Sequence, residues 1–206
     1  MTDPRIRLLR ADDWDTVVAL EEHAYATSGL SEGRDALQSR HRASPSTCFV
    51  LEHAGHVGGY LLALPYPLHH CPDLHHTENT TTRHKPPTTN LHAHDLVIAE
   101  ELRGHGHAHR MLRHLEATAR AAGYRTLSLV AVRGSHVLWA PLGYRARPET
   151  DLPASYGDEA VYMTMSLTDR QEPLRVTDFR PVTDRALPLP HSTDPIPGPR
   201  PRAEVG

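Results

Sequence analysis

Two histidines, His92 and His94, stand two residues apart in the run LHAHDLVI, whose Leu91, Leu96, Val97 and Ile98 read as a strand. Strand side chains alternate between faces, so the two imidazoles share one. An unperturbed imidazole titrates at roughly 6.5, where it can take a proton from a nucleophile. Asp95 falls on the opposite face unless a bulge intervenes; there it would orient an imidazole or hold a cationic substrate. A few residues on, Gly104 and Gly106 open a turn between this strand and a helical stretch. Glycine admits backbone conformations closed to other residues, and the helix that follows aims free N–H groups and its positive dipole end into the turn. Such a turn seats a phosphate or pyrophosphate. Spacing separates the classes that use one. A dinucleotide fingerprint needs a small residue at position 109, where His109 stands, and a Walker loop needs Gly-Lys-Ser/Thr, with no lysine near. What fits is Arg103-x-x-Gly106-x-Ala108.

The elements that must position these residues are visible as periodicities. Ile6 and Leu8 mark a short strand, and Asp12 or Asp13 can cap a helix carrying Trp14, Val17, Val18 and Tyr25 at helical spacing. Gly29 and Gly33 interrupt it, and a second helical stretch covers about 34–42. The apolar runs 48–53 and 56–64 flank Ala54-Gly55 and predict a hairpin. Residues 66–90 carry no periodicity and are rich in Pro, Thr and His, which predicts a long loop beside the cleft. After the glycine turn, Ala108, Met111, Leu112, Leu115, Ala119 and Ala122 form one helical face, with Gly123 as its left-handed stop. A buried-type strand follows at 126–132, then a short helix capped by Ser135 and ending before Gly143, then a last strand at 161–167. From residue 168 to 206 the chain is Pro-rich with few large apolar residues, the signature of a disordered tail. The domain expected is therefore 1–167.

Composition excludes several classes. The 206 residues carry a formal net charge of −3, which gives no basic face for nucleic acid. Lys85 is the only lysine against 21 arginines, a coding bias more than a design. No apolar run is long enough to cross a membrane, and the N-terminus lacks a signal-peptide core. Cys48 and Cys71 alone make no disulfide framework, so a cytoplasmic protein is expected.

Arg103-x-x-Gly106-x-Ala108 between a strand and a helix resembles the acyl-CoA pyrophosphate loop of the GNAT superfamily of N-acetyltransferases. The order of elements around it is similar, and W-x-x-L-G-Y at 139–144 stands where these proteins commonly carry Y-x-x-x-G-F. HDLVIAEELRGHG, SLVAVRGS and YGDEAVYM look like a bacterial branch of that superfamily. The resemblance implies an α/β fold whose mixed sheet splays between its fourth and fifth strands, with acetyl-CoA as co-substrate in the opening. The pantetheine would pair with the strand backbone near Leu96, Val97 and Ile98, and the pyrophosphate would sit on the backbone N–H groups of Arg103, Gly104, His105, Gly106, His107 and Ala108. Ser135 and Trp139 would complete the cofactor site, with Asp95 and Tyr25 toward the acceptor.

Placed four and six residues before Ile98, His94 and His92 resemble the paired histidines of serotonin N-acetyltransferase. The resemblance makes His94 the base and His92 its assistant. The usual acid is missing, because an indole at Trp139 has no useful acidity. Tyr144 or Tyr162 would replace it, or a thiolate of pKa about 8.5 leaves unaided. The expected partner is a small-molecule or peptide amine, with no nucleic acid and no membrane, on a monomer or homodimer. Two further readings stand beside this one: a GNAT-type module that binds acyl-CoA without chemistry, and a metal-binding protein. The last rests on His69, His70, Cys71, His75 and His76, with His105, His107 and His109. Adjacent histidines converge poorly on one ion, and no metal is expected.

Overall fold

Alternating apolar runs and one strongly striped helix build a single mixed sheet with helices on both faces. The computed structural model describes residues 3–78 and 88–168. Along the chain run β1 (Arg5–Leu8), α1 (Trp14–Tyr25), α2 (Arg34–Ala43), β2 (Phe49–His53), β3 (His56–Pro65) and β4 (Asn90–Ile98). Then come α3 (His107–Ala121), β5 (Thr126–Ala131), α4 (His136–Trp139), β6 (Arg145–Ala146) and β7 (Val161–Ser166). The sheet order is β1-β2-β3-β4-β5-β7-β6. All its pairings are antiparallel except β4 with β5. The expected tail lies, from residue 169 on, outside the described residues, as does the loop segment 79–87.

One face packs on α3, whose Met111, Leu115 and Ala119 are fully buried against Leu91, Ala93, Leu127 and Met163. The stripe is narrower than its sequence pattern, since Ala108 and Ala122 are exposed at its ends. The opposite face packs on α1 and α2, with Trp14, Val17 and Leu37 against Val50, Tyr60, Leu62 and Val97. Asp13 stands where a helix cap is expected but turns its carboxylate backward. It accepts from the Arg10 N–H at 2.7 Å and pairs with Arg7, which also holds Glu52 at 2.7 Å. That clamp ties β1 to α1 and to β2.

Two irregularities shape the middle of the sheet. β4 pairs with β5 only from Asn90 to His92, and beyond His92 the two strands part. In the pairing of β3 with β4, Leu62 faces Asp95 and Ala63 faces Ala93, so His94 is an extra residue, a β-bulge. The bulge breaks the alternation expected of β4. His94 and Asp95 both turn to the α1–α2 side, and the conditional reading of Asp95 resolves in favour of the bulge.

Candidate active site

A cavity lies on each face of the sheet near the parted strands. On the α3 side a groove of about 490 Å³ is lined by Leu96, Ile98, Arg103, Gly104, Gly106, His107, Ala108, Ser135 and Trp139, among others. Gly106 caps α3 at φ 77°, ψ 9°, a left-handed conformation that favours glycine. A Cβ there would meet nothing within 4 Å, so open space lies in front of the helix end and its first-turn N–H groups. Arg103 folds back and donates from Nε to the Ile98 carbonyl at 3.0 Å, fixing the turn to the end of β4. This cradle fits a pyrophosphate, and the groove fits the arm attached to it.

Val97 and His105, expected to serve through their backbones, turn their side chains away from the groove. Val97 points its side chain into the core under α1, because alternation resumes after the bulge. His105 is exposed; its Nδ1 lies 2.8 Å from the Arg103 carbonyl and its ring stacks on His107 at 6.0 Å. Ser135 begins α4 as expected, yet its hydroxyl does not cap the helix and instead lies 3.4 Å from the Trp139 indole nitrogen. Neither Tyr144 nor Tyr162 lines the groove. Tyr144 is buried edge-on to Trp139, and the Tyr162 hydroxyl accepts from the His69 N–H at 3.1 Å.

On the other face a cavity of about 40 Å³ is bounded by Tyr25, Glu32, His94 and Asp95, with Leu30, Leu74, Val130, Val132 and Tyr156. The His94 ring is fully buried. Its Nε2 lies 2.5 Å from Glu32 Oε1, so that nitrogen carries the proton, and Nδ1 has no partner among the described residues. Arg40 is buried behind them. Its Nη2 donates to Glu32 Oε2 at 2.9 Å and to the Asp73 carbonyl at 2.7 Å, while Nη1 reaches Glu78 at 3.3 Å. Burial alone would raise the Glu32 carboxyl, but the His94 and Arg40 charges overcome it and hold it below the usual range. Glu21, itself buried, accepts from the Glu32 N–H at 2.7 Å and from Ser31 at 2.8 Å, fixing the loop that presents Glu32.

Asp95 receives the hydroxyls of Tyr25, at 2.7 Å, and of Tyr60, one on each carboxylate oxygen. Burial pushes its carboxyl upward despite those two donors. His92, on the same face, has Nδ1 3.0 Å from Ser128 Oγ and no partner on Nε2 among the described residues. Burial, reinforced by the His94 and Arg40 charges, pushes its pKa well below the ordinary imidazole value. That environment favours the neutral imidazole at His92.

The histidine-rich stretch is not a free strap over this region. Its described part, 66–78, has no helix or strand, but Cys71 and Leu74 pack beneath Tyr156 and Tyr162. Among the described residues, no three His, Cys, Asp or Glu side chains converge to hold a metal ion.

Strand order, splay and cradle together make a recognisable whole, and a family model decides what it is. The model of the acetyltransferase (GNAT) family matches residues 14–144, more than half of the chain. The chain belongs to the GNAT acetyltransferase family. Solved structures of similar fold include Ard1 from Thermoplasma volcanium, 15% identical with a TM-score of 0.60, matched over 79% of this chain and 97% of that one. The PaiA N-acetyltransferase from Thermoplasma acidophilum, solved with coenzyme A, is 12% identical with a TM-score of 0.58 over 80% and 99%. The GphF GNAT-like decarboxylase, solved with isobutyryl-CoA, is 21% identical with a TM-score of 0.61 over 79% and 99%. No curated protein matches this chain significantly in sequence. Among the described residues, no helix of this GNAT protein is long and apolar enough to cross a membrane.

Within the GNAT frame, sequence reasoning missed Glu32 and Arg40. Glu32 sits in a glycine-flanked loop with no periodicity, and its partner is 62 residues away. Arg40 did leave a signal. It lies three and four residues after the buried Leu37 and Ala36, so an arginine occupies the apolar stripe of α2.

Proposed function

We propose that this protein is an acetyl-CoA-dependent N-acetyltransferase in which His94 takes the proton from an amine acceptor. One observation carries the reading. His94 borders the smaller cavity, two residues past the last pair of β4 with β5, with Nε2 tied to a buried carboxylate and Nδ1 without a partner among the described residues. A histidine held by a carboxylate on one nitrogen is oriented to accept a proton on the other. When bound, acetyl-CoA supplies the activated thioester. Backbone N–H groups from Arg103 to Ala108 would seat its pyrophosphate. The edge of β4 freed beyond His92 would offer its unpaired amides and carbonyls to the pantetheine. Glu32 stabilises the imidazolium that His94 becomes, and Arg40 keeps Glu32 ionised. His92 assists as a neutral relay.

Thermal unfolding with acetyl-CoA, followed by free-thiol release with a mixed amine pool, tests this. At a hundredfold excess over the dissociation constant the ligand adds about 2.7 kcal/mol of stability. Gly106→Glu should abolish that stabilisation, because a carboxylate would stand where the pyrophosphate goes. His94→Ala should keep the stabilisation and lose roughly 10²- to 10⁴-fold in turnover. Turnover unaffected by His94→Ala would return the proton to water or to His92.

A second reading, a module that holds acyl-CoA without chemistry, is favoured by Trp139 and by the absence, among the described residues, of a tyrosine from the groove lining. Stabilisation by acetyl-CoA with no thiol release from any amine would select it.

A further inference from the structure

We infer that the acceptor is a primary amine on a narrow, uncharged aliphatic stem, and that the acceptor cavity rejects amines bearing a carboxylate beside the nitrogen. This rests on the acetyltransferase reading and specifies its second substrate. Three features point the same way.

The first is charge. Glu32 and Asp95 border the cavity, with the buried Glu21 behind them. Among the described residues, no arginine or lysine lines it. Arg40, which touches two of the lining residues, is buried; its Nη1 and Nη2 go to Glu78, Glu32 and the Asp73 carbonyl, and its Nε lies 3.4 Å from His94 Nε2. An ammonium entering here meets carboxylates. A substrate carboxylate would meet them too, with no free cation among the described residues to receive it, and like charges in a desolvated site repel strongly.

The second is size. A buried water needs roughly 10–15 Å³ on the same measure, so a cavity of about 40 Å³ holds the equivalent of three waters. That is an ammonium with one or two methylenes, and a phenyl ring does not enter. The third is lining. Leu30, Leu74, Val130 and Val132 form an apolar collar beside the polar end, which suits methylenes and leaves nothing for a polar stem.

The chemistry balances. The ammonium gives up two protons, one to His94 Nδ1 and one, as the amide forms, to the departing thiolate; the new N–C bond replaces the broken C–S bond.

Free-thiol release with acetyl-CoA is measured for n-butylamine, n-propylamine, glycine and benzylamine separately. The expected kcat/KM for n-butylamine and for n-propylamine exceeds that for glycine and benzylamine by at least tenfold. Asp95→Asn should narrow the preference for n-butylamine over glycine severalfold, and Leu74→Ala should raise benzylamine relative to n-butylamine. Glycine or benzylamine matching n-butylamine in the wild type overturns the inference, as do unchanged ratios in both variants. Stabilisation by acetyl-CoA without turnover of either alkylamine also overturns it and leaves the cofactor site standing. Absence of any stabilisation by acetyl-CoA brings down the acetyltransferase reading, and the acceptor assignment with it.

Discussion

Glu32, Arg40 and His94 come from a loop, a helix and a bulged strand, and each is buried where it would be unstable alone. An unpaired ion in the interior carries a desolvation penalty of several kcal/mol, so these groups persist because they meet. The pairing also assigns the protons. Glu32 takes the Nε2–H of His94, Arg40 neutralises Glu32, and the nitrogen left over among the described residues, Nδ1, is the one to which the proposed mechanism gives the proton. Glu32→Gln separates orientation from charge. The amide oxygen can still accept from Nε2–H, but it no longer stabilises an imidazolium. The expected outcome is a fall in kcat smaller than the roughly 10²- to 10⁴-fold loss on removing a base, with KM for the amine rising as one carboxylate leaves the cavity. A steady-state comparison of Glu32→Gln with His94→Ala checks it; equal losses in kcat would mean that the charge, and not the geometry, is what His94 needs. Glu32→Ala is the wrong experiment, because it strands Arg40 and costs about 3–5 kcal/mol of stability.

Elements explain why some of this was legible and some was not. α3 was readable because its stripe is local, and the β2–β3 hairpin because Ala54 and Gly55 both take positive φ, 50° and 84°, at its turn. The cradle was readable because a glycine turn before a helix states its own geometry. The bulge at His94 was not, since it is a property of the register between β3 and β4 and appears in neither strand alone. Nor was β6, two residues whose only signal is their partner strand. Asp95 therefore had two faces open to it until the pairing chose one.

The close approach of β3 to β4 at Gly59 makes its own prediction. A Cβ on Gly59 would lie 2.8 Å from the Val97 carbonyl oxygen and 2.8 Å from Ile98 Cδ1. The side chain can turn away, but the backbone oxygen cannot. Gly59→Ala should lower stability by about 1–3 kcal/mol, the range for overpacking. It should also weaken acetyl-CoA binding, since Ile98 is the anchor of Arg103. Urea unfolding checks the first and thermal shift the second. A variant as stable as wild type would show that the strands can separate there freely.

At the scale of the whole molecule the histidines set a response to acid. Burial lowers the pKa of His92 well below its ordinary value, and burial also lowers that of His41. In the unfolded chain such groups titrate at roughly 6.5. The folded state therefore binds fewer protons than the unfolded state once the pH falls below that value, and the stability present above it is lost as the pH falls. Each group held neutral contributes a slope of about 1.4 kcal/mol per pH unit in that window. Asp95 and Glu21 act in the opposite sense, because burial raises both carboxyls. Their folded forms hold protons that the unfolded chain has released above its carboxylate range of about 4, so their contribution is lost as the pH rises through the raised values. The two sets overlap in acid, and the wild-type curve alone does not separate them. His92→Gln does, because it removes one imidazole and leaves every carboxyl in place. Its Tm should fall less than that of the wild type between pH 7.5 and 5.5, the gap opening below about 6.5. Parallel curves would mean that His92 takes up its proton in the folded protein, and a charged His92 beside His94 could not serve as a neutral relay.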